Sequence, residues 1–191
     1  SRLVAQSGTK AKKACTGIWG TAVICKKITI PRIEEKLLPE QLRWEAEQYI
    51  PFDINEINLA YHILREGQTN AETMNVLLVA AKRDYVSRFA EVIETAGLEC
   101  SMVDVSAFAL SNCFEANYGK MNGETVGILN LGAGITNFSI MESGDVGFAR
   151  DIAVGGNTFT MDIQKTLGVS LEEAESLKIS AGTGQPVPKE V

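Results

Sequence analysis

An α/β fold is what this sequence predicts, on three observations. Apolar runs of strand length alternate with segments of helical periodicity along most of the chain. Residues 126–140 read as strand, glycine turn, strand: Val126 to Leu129 are mainly apolar, Gly132-Ala133-Gly134 interrupt, and alternation resumes through Thr136, Phe138 and Ile140. Further on, Gly155-Gly156 stand between a strand pattern and a helical one. The turn at 132–134 lets the backbone take positive φ and lets a ligand approach without a Cβ in the way. Successive N–H groups in such a turn suit phosphate oxygens. A Walker loop would need Gly-Lys-Ser/Thr running into a helix, and a dinucleotide fingerprint would need its third glycine where Asn137 stands. Both are excluded, which leaves either a β-hairpin phosphate loop or a plain tight turn.

The remaining elements follow in order. Residues 1–6 read as the tail of a helix, and Ala14–Trp19 and Thr21–Ile30 as strands broken at Gly20, with Pro31 closing the second. A helix with Pro39 in its first turn runs to Tyr49. It carries Leu38, Leu42, Ala46 and Tyr49 on one face and ends at Ile50, which precedes Pro51. Ile57–Leu64 is a short strand, Arg65–Thr73 a loop and Val76–Ala81 a buried strand. The helix Asp84–Thr95 aligns Val86, Phe89, Ile93 and Ala96, with Gly97 past its end. Met102–Val105 is extended. Ser106 then caps a buried helix through Phe114, and Asn117–Glu124 is a polar linker. Ser143-Gly144-Asp145 is a turn and Val146–Val154 a strand. Asn157 or Thr158 caps a helix with Phe159, Ile163 and Leu167 on one face, stopped by Gly168. Ser170 and Glu173 form a capping box for the last helix.

Composition narrows the function. The 191 residues are 45% hydrophobic and 22% charged with net charge −6, which makes nucleic acid an unfavourable partner. The lysines at 10, 12, 13, 26 and 27 are interleaved with apolar and neutral residues, as on solvated strand edges. The cysteines at 15, 25, 100 and 113 lack CxxC spacing and the one histidine, His62, is remote in sequence. Buried free thiols are therefore expected, not a zinc site or a Cys–His pair. No apolar run reaches transmembrane length.

Four pieces stand in one order: Asn130-Leu-Gly-Ala-Gly-Ile-Thr136, Asp151-Ile-Ala-Val-Gly-Gly156, Asn157-Thr-Phe-Thr160 and Glu173-Ala-Glu-Ser-Leu-Lys178. This order resembles the second domain of the FtsA-like branch of the actin-like ATPases. Arg43-Trp44-Glu45-Ala46-Glu47-Gln48-Tyr49-Ile50-Pro51-Phe52, Val76–Lys82 and Glu94–Leu98 resemble the type IV pilus assembly proteins PilM and not FtsA. The resemblance covers about Lys13 to Lys178 and implies an actin-like (ribonuclease H-like) two-domain fold, here partial, with an inserted α/β subdomain. Its implied divisions are residues 1–31 for the remainder of the first subdomain, 32–102 for the insert and 103–121 for a return to the first subdomain. Residues 122–180 would form the second-domain nucleotide-binding subdomain, and 181–191 the start of the next. The chain opens at Ser1 without methionine and ends after a turn-rich stretch, which reads as a fragment; the first phosphate hairpin and the late adenosine motif would then lie outside it.

Carried over by resemblance, Asn130, Gly132, Ala133, Gly134, Ile135 and Thr136 stand at the second phosphate loop, and Gly155 and Gly156 where the backbone passes near the nucleotide. Glu175 and Lys178 stand where a Glu-x-x-Lys pair contacts ribose or adenine; a plain i,i+3 helix pair is the alternative. Asn130 replaces the family's usual aspartate, and an amide brings no negative charge to a magnesium shell. The implied cofactors are ATP and Mg in the full-length protein, with none expected on this piece alone. The implied role is a scaffold on the cytoplasmic face of the inner membrane. It would bind the cytoplasmic tail of a PilN-like bitopic protein in a groove between the first domain and its insert, with ATP setting the conformation. Trp44, out of step with its helix's apolar face, is the candidate partner-binding aromatic. An ATPase or phosphotransferase, and an FtsA-like polymerising tether, are the alternatives. Sheet edges bared by a truncation would add a tendency to self-associate.

Overall fold

The computed structural model describes residues 2–64, 72–119, 123–189 and 191. The elements are α1 (Arg2–Ser7), β1 (Lys13–Ile18), β2 (Val23–Pro31), α2 (Leu38–Tyr49), β3 (Ile57–Ile63), β4 (Thr73–Lys82), α3 (Arg83–Thr95) and β5 (Glu99–Val105), followed by α4 (Ser106–Tyr118), β6 (Thr125–Leu131), β7 (Thr136–Glu142), β8 (Asp145–Ile152), α5 (Gly156–Leu167) and α6 (Leu171–Gly182). Mixed α/β structure is thus observed as expected. Among the described residues no helix is long and apolar enough to cross a membrane.

The chain forms two compact units, Ser1–Ile128 with Phe138–Arg150, and Leu129–Asn137 with Asp151–Val191. The first contains a parallel pair, β1–β5, and an antiparallel sheet in the order β2-β4-β3. Alternation of side chains decides how that sheet is used. Ile28 and Ile30 of β2, Val76, Leu78 and Ala80 of β4 and Ile57 of β3 pack with Leu38, Leu42 and Ala46 of α2 into the core, all nearly inaccessible. The fourth residue read on that helix face, Tyr49, is 44% exposed, with the Lys26 ammonium over its ring at 5.7 Å. Ile50 ends the helix as expected, extended and buried.

Several local expectations change. The two opening strands, whose partners the sequence leaves open, go to different sheets: β1 runs parallel to β5, and β2 pairs along its full length, Val23 to Pro31, with β4. That places β2 in the sheet of the stretch read as the insert, and β5 with the stretch before it. Thr73 opens β4 instead of ending a loop; residues 65–71 of that loop lie outside the described residues, as do 120–122 of the linker. Ser106 is the first residue of α4, whose N-cap is Val105, and only Ala107 and Ser111 of that helix are buried. The helix is less buried than its apolar content suggests because its apolar residues spread around it without one dominant face. The approach of α4 to β1 is close at Gly17: a Cβ there would meet Ser106 Oγ at 2.7 Å, a contact that rotation of the Ser106 side chain relieves, while the Ser106 Cα lies at 3.5 Å. The cysteines are not buried thiols; Cys15 and Cys113 are exposed, Cys25 and Cys100 half-buried.

The third sheet has the order β6-β7-β8, and its residues are divided between the two units. At its first-unit end Ser143 (φ 53°) and Gly144 (φ 88°) make the β7–β8 turn, with both residues left-handed as a two-residue hairpin turn demands. In the second unit α5 ends at Gly168 in the left-handed region (φ 66°) and α6 begins at Ser170, whose hydroxyl accepts from Glu173 N–H at 3.2 Å. The cap of α5 is Gly155, not Asn157 or Thr158; Thr158 accepts from the Gly155 N–H through its hydroxyl at 3.3 Å.

Candidate functional site

The glycine turn is built as the sequence suggests, but for a different reason. Neither Gly132 nor Gly134 takes positive φ. A Cβ on Gly132 would stand 2.6 Å from the Ile135 carbonyl, to which Gly132 N–H donates at 3.1 Å. Gly134 faces open space. Gly155 is the tightest position of all, since a Cβ there would meet Gly132 O at 2.6 Å and Ala133 O at 2.7 Å. Those two carbonyls accept from Gly156 N–H at 2.9 Å and Asn157 N–H at 2.7 Å.

The first amides of α5, the groups that make a helix N-terminus an anion site, are therefore taken up by the turn. What remains for an anion is the turn itself. Among the described residues the N–H groups of Ala133 and Gly134 donate to no protein acceptor. Thr136, at the foot of the turn, is buried and donates to Val154 O at 2.7 Å, tying β7 to the chain entering α5. The structure brings Gly132–Thr136, Gly155 and Gly156 together.

Glu175 and Lys178 are more than a helix-surface pair. Lys178 Nζ donates to Glu175 Oε2 at 2.6 Å, to Thr160 Oγ1 at 2.8 Å and to Gly156 O at 3.2 Å. Thr160, buried on α5, donates to the same Glu175 oxygen at 2.5 Å. All three ammonium protons are engaged, and the cluster pins α6 to the first turn of α5 behind the glycines. The Lys178 ammonium, then the Thr160 hydroxyl, hold the Glu175 carboxyl below its ordinary pKa of 4.5. A lowered folded-state pKa stabilises the fold above the unfolded value, and that stabilisation is lost as pH falls through the folded value. The stability difference between the protein and Glu175→Gln is therefore expected to be constant above pH 4.5 and to shrink below it, as read from urea midpoints.

Beside the turn, Asn130 Nδ2 donates to Asn137 Oδ1 at 3.0 Å and Asn137 Nδ2 donates to Asp151 Oδ1 at 2.6 Å. Neither Asn137 nor Asp151 was singled out as a functional residue from sequence, nor was Thr160. The available signal was their polarity on strands and a helix otherwise ruled by apolar alternation. Among the described residues no three His, Cys, Asp or Glu side chains gather as a metal site. A magnesium ion arriving with nucleotide phosphates keeps several waters. The Asn130 carbonyl oxygen, to which no described residue donates, fits that outer role and not a direct one.

The first unit holds a separate feature, a cavity of ≈ 450 Å³. Asn58, Ala60 and His62 of β3 and Leu77, Val79 and Ala81 of β4 line it, on the sheet face opposite the one covered by α2. Phe108, Ser111, Asn112 and Glu115 of α4 form another wall at helical spacing. Asp104 and Asp145 add to its polar lining; His62 Nε2 stands 3.4 Å from Asp145 Oδ1. Trp44 does not line it; it is 65% exposed on α2.

Comparison with known proteins gives a consistent picture. A family model described as "Type IV pilus assembly protein PilM" matches residues 1–191. Among solved structures, a chain of a PilM–PilN type IV pilus biogenesis complex superposes with TM-score 0.83 at 28% identity, covering 95% of this chain and 55% of that one. The ethanolamine utilization protein EutJ of Escherichia coli (strain K12) is 31% identical over 91 residues, 48% of this chain and 30% of the relative. The cell division protein FtsA of Streptococcus pneumoniae (serotype 2, strain D39) is 28% identical over 113 residues, 59% of this chain and 24% of the relative. The chain thus spans under a third of the length of these two relatives.

Proposed function

The chain belongs to the family of the type IV pilus assembly protein PilM, and from that premise we propose that it works as a nucleotide-responsive scaffold for a membrane partner. The partner is the cytoplasmic tail of a PilN-like bitopic protein, and the scaffold sits with it at the cytoplasmic face of the inner membrane. The solved PilM relative belongs to a PilM–PilN type IV pilus biogenesis complex, which makes such a partner the first to test. The observation that carries the reading is the cavity in the first unit. Its floor is the face of β3 and β4 opposite α2, apolar on β4 (Leu77, Val79, Ala81) and more polar on β3 (Asn58, Ala60, His62), and its wall a regular face of α4. Pockets of this size and character take one or two side chains of an extended peptide. Three carboxylates in the lining, Asp104, Glu115 and Asp145, favour a tail with a basic residue next to its apolar ones.

ATP with magnesium binds at the glycine turn, its phosphates received by the amides of Ala133 and Gly134. Its occupancy shifts the affinity for the tail without turnover; Asn130, an amide where the relatives' fold carries a carboxylate, is the reason to favour binding over hydrolysis. Calorimetric titration of the tail peptide into the protein carrying this chain tests both halves. Tail binding with an affinity altered about fivefold or more by ATP–magnesium is expected, the lower end of ordinary coupling energies. Equal affinity with and without nucleotide removes the coupling. No binding at all removes the partner.

A further inference from the structure

Three polar side chains on adjacent strands, Asn130 on β6, Asn137 on β7 and Asp151 on β8, form one hydrogen-bonded row beside the glycine turn. The direction of the row is fixed from one end. A carboxylate only accepts, so Asp151 obliges Asn137 to turn its NH2 group toward β8. The Asn137 carbonyl then faces β6, and Asn130 must present its own NH2 to it. With its NH2 committed, Asn130 has its carbonyl oxygen left to look outward, one strand residue away from the turn. Asn137, in the middle, is only 7% exposed, so a mismatch there cannot be relieved cheaply by water.

We infer that Asp151 is a positioning residue: through Asn137 it holds Asn130 with its carbonyl oxygen outward, as a neutral acceptor for a water of the nucleotide's magnesium ion. The chain keeps the carboxylate, but displaced by two side chains from the place where a metal's water shell needs it. The row explains why an aspartate at 130 does not suit this protein as it stands. A carboxylate at 130 and the carboxylate of Asp151 would both require NH2 from Asn137, which has its carbonyl on one side and its NH2 on the other. One of the two ends is then acceptor against acceptor in either orientation of Asn137. Exchanging both residues reverses the row and restores its two bonds to Asn137: the carboxylate at 130 accepts from Asn137 NH2, and the Asn137 carbonyl accepts from the new amide at 151.

The metal half of the inference rests on the nucleotide reading above; the polarity half does not. Urea unfolding of Asn130→Asp, Asp151→Asn and the double variant tests polarity without any ligand. Asn130→Asp lowers the folded-to-unfolded ratio about tenfold, the low end of the cost of leaving the buried Asn137 carbonyl without a donor, position 130 itself being exposed. Asp151→Asn lowers the ratio in the natural background and raises it in the Asn130→Asp background. If Asp151→Asn is equally harmful in both backgrounds, the polarity assignment is overturned. ATP titrations with magnesium and with a chelator then read the metal half. Magnesium's enhancement of ATP affinity falls severalfold in Asp151→Asn, where the row no longer has a fixed direction, while the magnesium-free affinity holds. In the double variant the enhancement exceeds that of the natural protein. An enhancement that ignores all three variants, or no ATP binding by any of them, overturns the metal role and leaves the row a structural device.

Discussion

Gly155→Ala is expected to destabilise the second unit by about 2–4 kcal/mol, while Gly134→Ala costs less than about 0.5 kcal/mol. The two glycines flank the same turn, and simple conformational freedom does not separate them, since neither has positive φ. What separates them is the space around a new methyl group. At Gly155 it would lie 2.6 Å from Gly132 O, 2.7 Å from Ala133 O and 2.8 Å from Ala133 C, all backbone atoms. Backbone cannot swing aside as a flexible side chain does, so the loop and α5 must part. The bonds from Gly156 N–H and Asn157 N–H to those carbonyls are then lost. Two helix amides and two carbonyls become unsatisfied together, and water repairs them only in part. At Gly134 the methyl meets nothing within 4 Å. Urea denaturation of both variants reads the difference. Nucleotide binding should sort them the other way in one respect: Gly134→Ala, though stable, loses affinity if phosphate approaches through the open side of the turn. Equal affinity in a stable Gly134→Ala would mean that the open space is not where the anion sits.

How much of this was legible beforehand depended on whether the cause was local. Periodicity placed Leu38, Leu42 and Ala46 on the buried face of α2, and the pre-proline rule placed its end at Ile50, because both signals lie within one helix. The Ser170 cap was equally local. The separate partners of β1 and β2 were not, since the strands lie close in sequence but the residues that claim them, 99–105 and 73–82, are far along the chain. On α5 hydropathy favours Phe159, Ile163 and Leu167 as one face. Phe159 is instead 58% exposed and Thr160 is buried, because its hydroxyl is satisfied by Glu175 and Lys178, 15 and 18 residues later on the next helix. A buried polar group whose partner lies on another helix carries no hydropathy signal. The same holds for the row through Asn137: its residue types were visible, but their alignment depends on the register of adjacent strands. The glycine turn stands where the sequence puts it, but of the two reasons for its glycines positive φ does not hold, and the close approach of the 155–157 backbone is visible only once both segments are placed.

The groove gives the sharpest separation of one surface from another. Val79→Glu is expected to weaken binding of the tail peptide about a hundredfold, whereas Trp44→Ala leaves it within about twofold, differences of about 2.7 and 0.4 kcal/mol. Val79 is the central cavity-lining residue of β4, with Leu77 and Ala81 on either side along the strand. A carboxylate there would join Asp104, Glu115 and Asp145 around the same space and would be buried by an apolar peptide side chain without a partner. The α2-facing core is spared, because alternation puts Leu78 and Ala80, not Val79, among the residues that pack against α2. Folding should therefore survive, and an unchanged urea midpoint would confirm that the lost binding is a groove effect. Trp44 is the opposite case, a large exposed aromatic of the kind that often anchors a partner, but carried on the helix that covers the other sheet face. If the tail lies in the groove, Val79 decides its affinity and Trp44 does not. If instead Trp44→Ala abolishes binding and Val79→Glu is silent, the tail docks on α2, and the cavity between the sheet and α4 must serve something else.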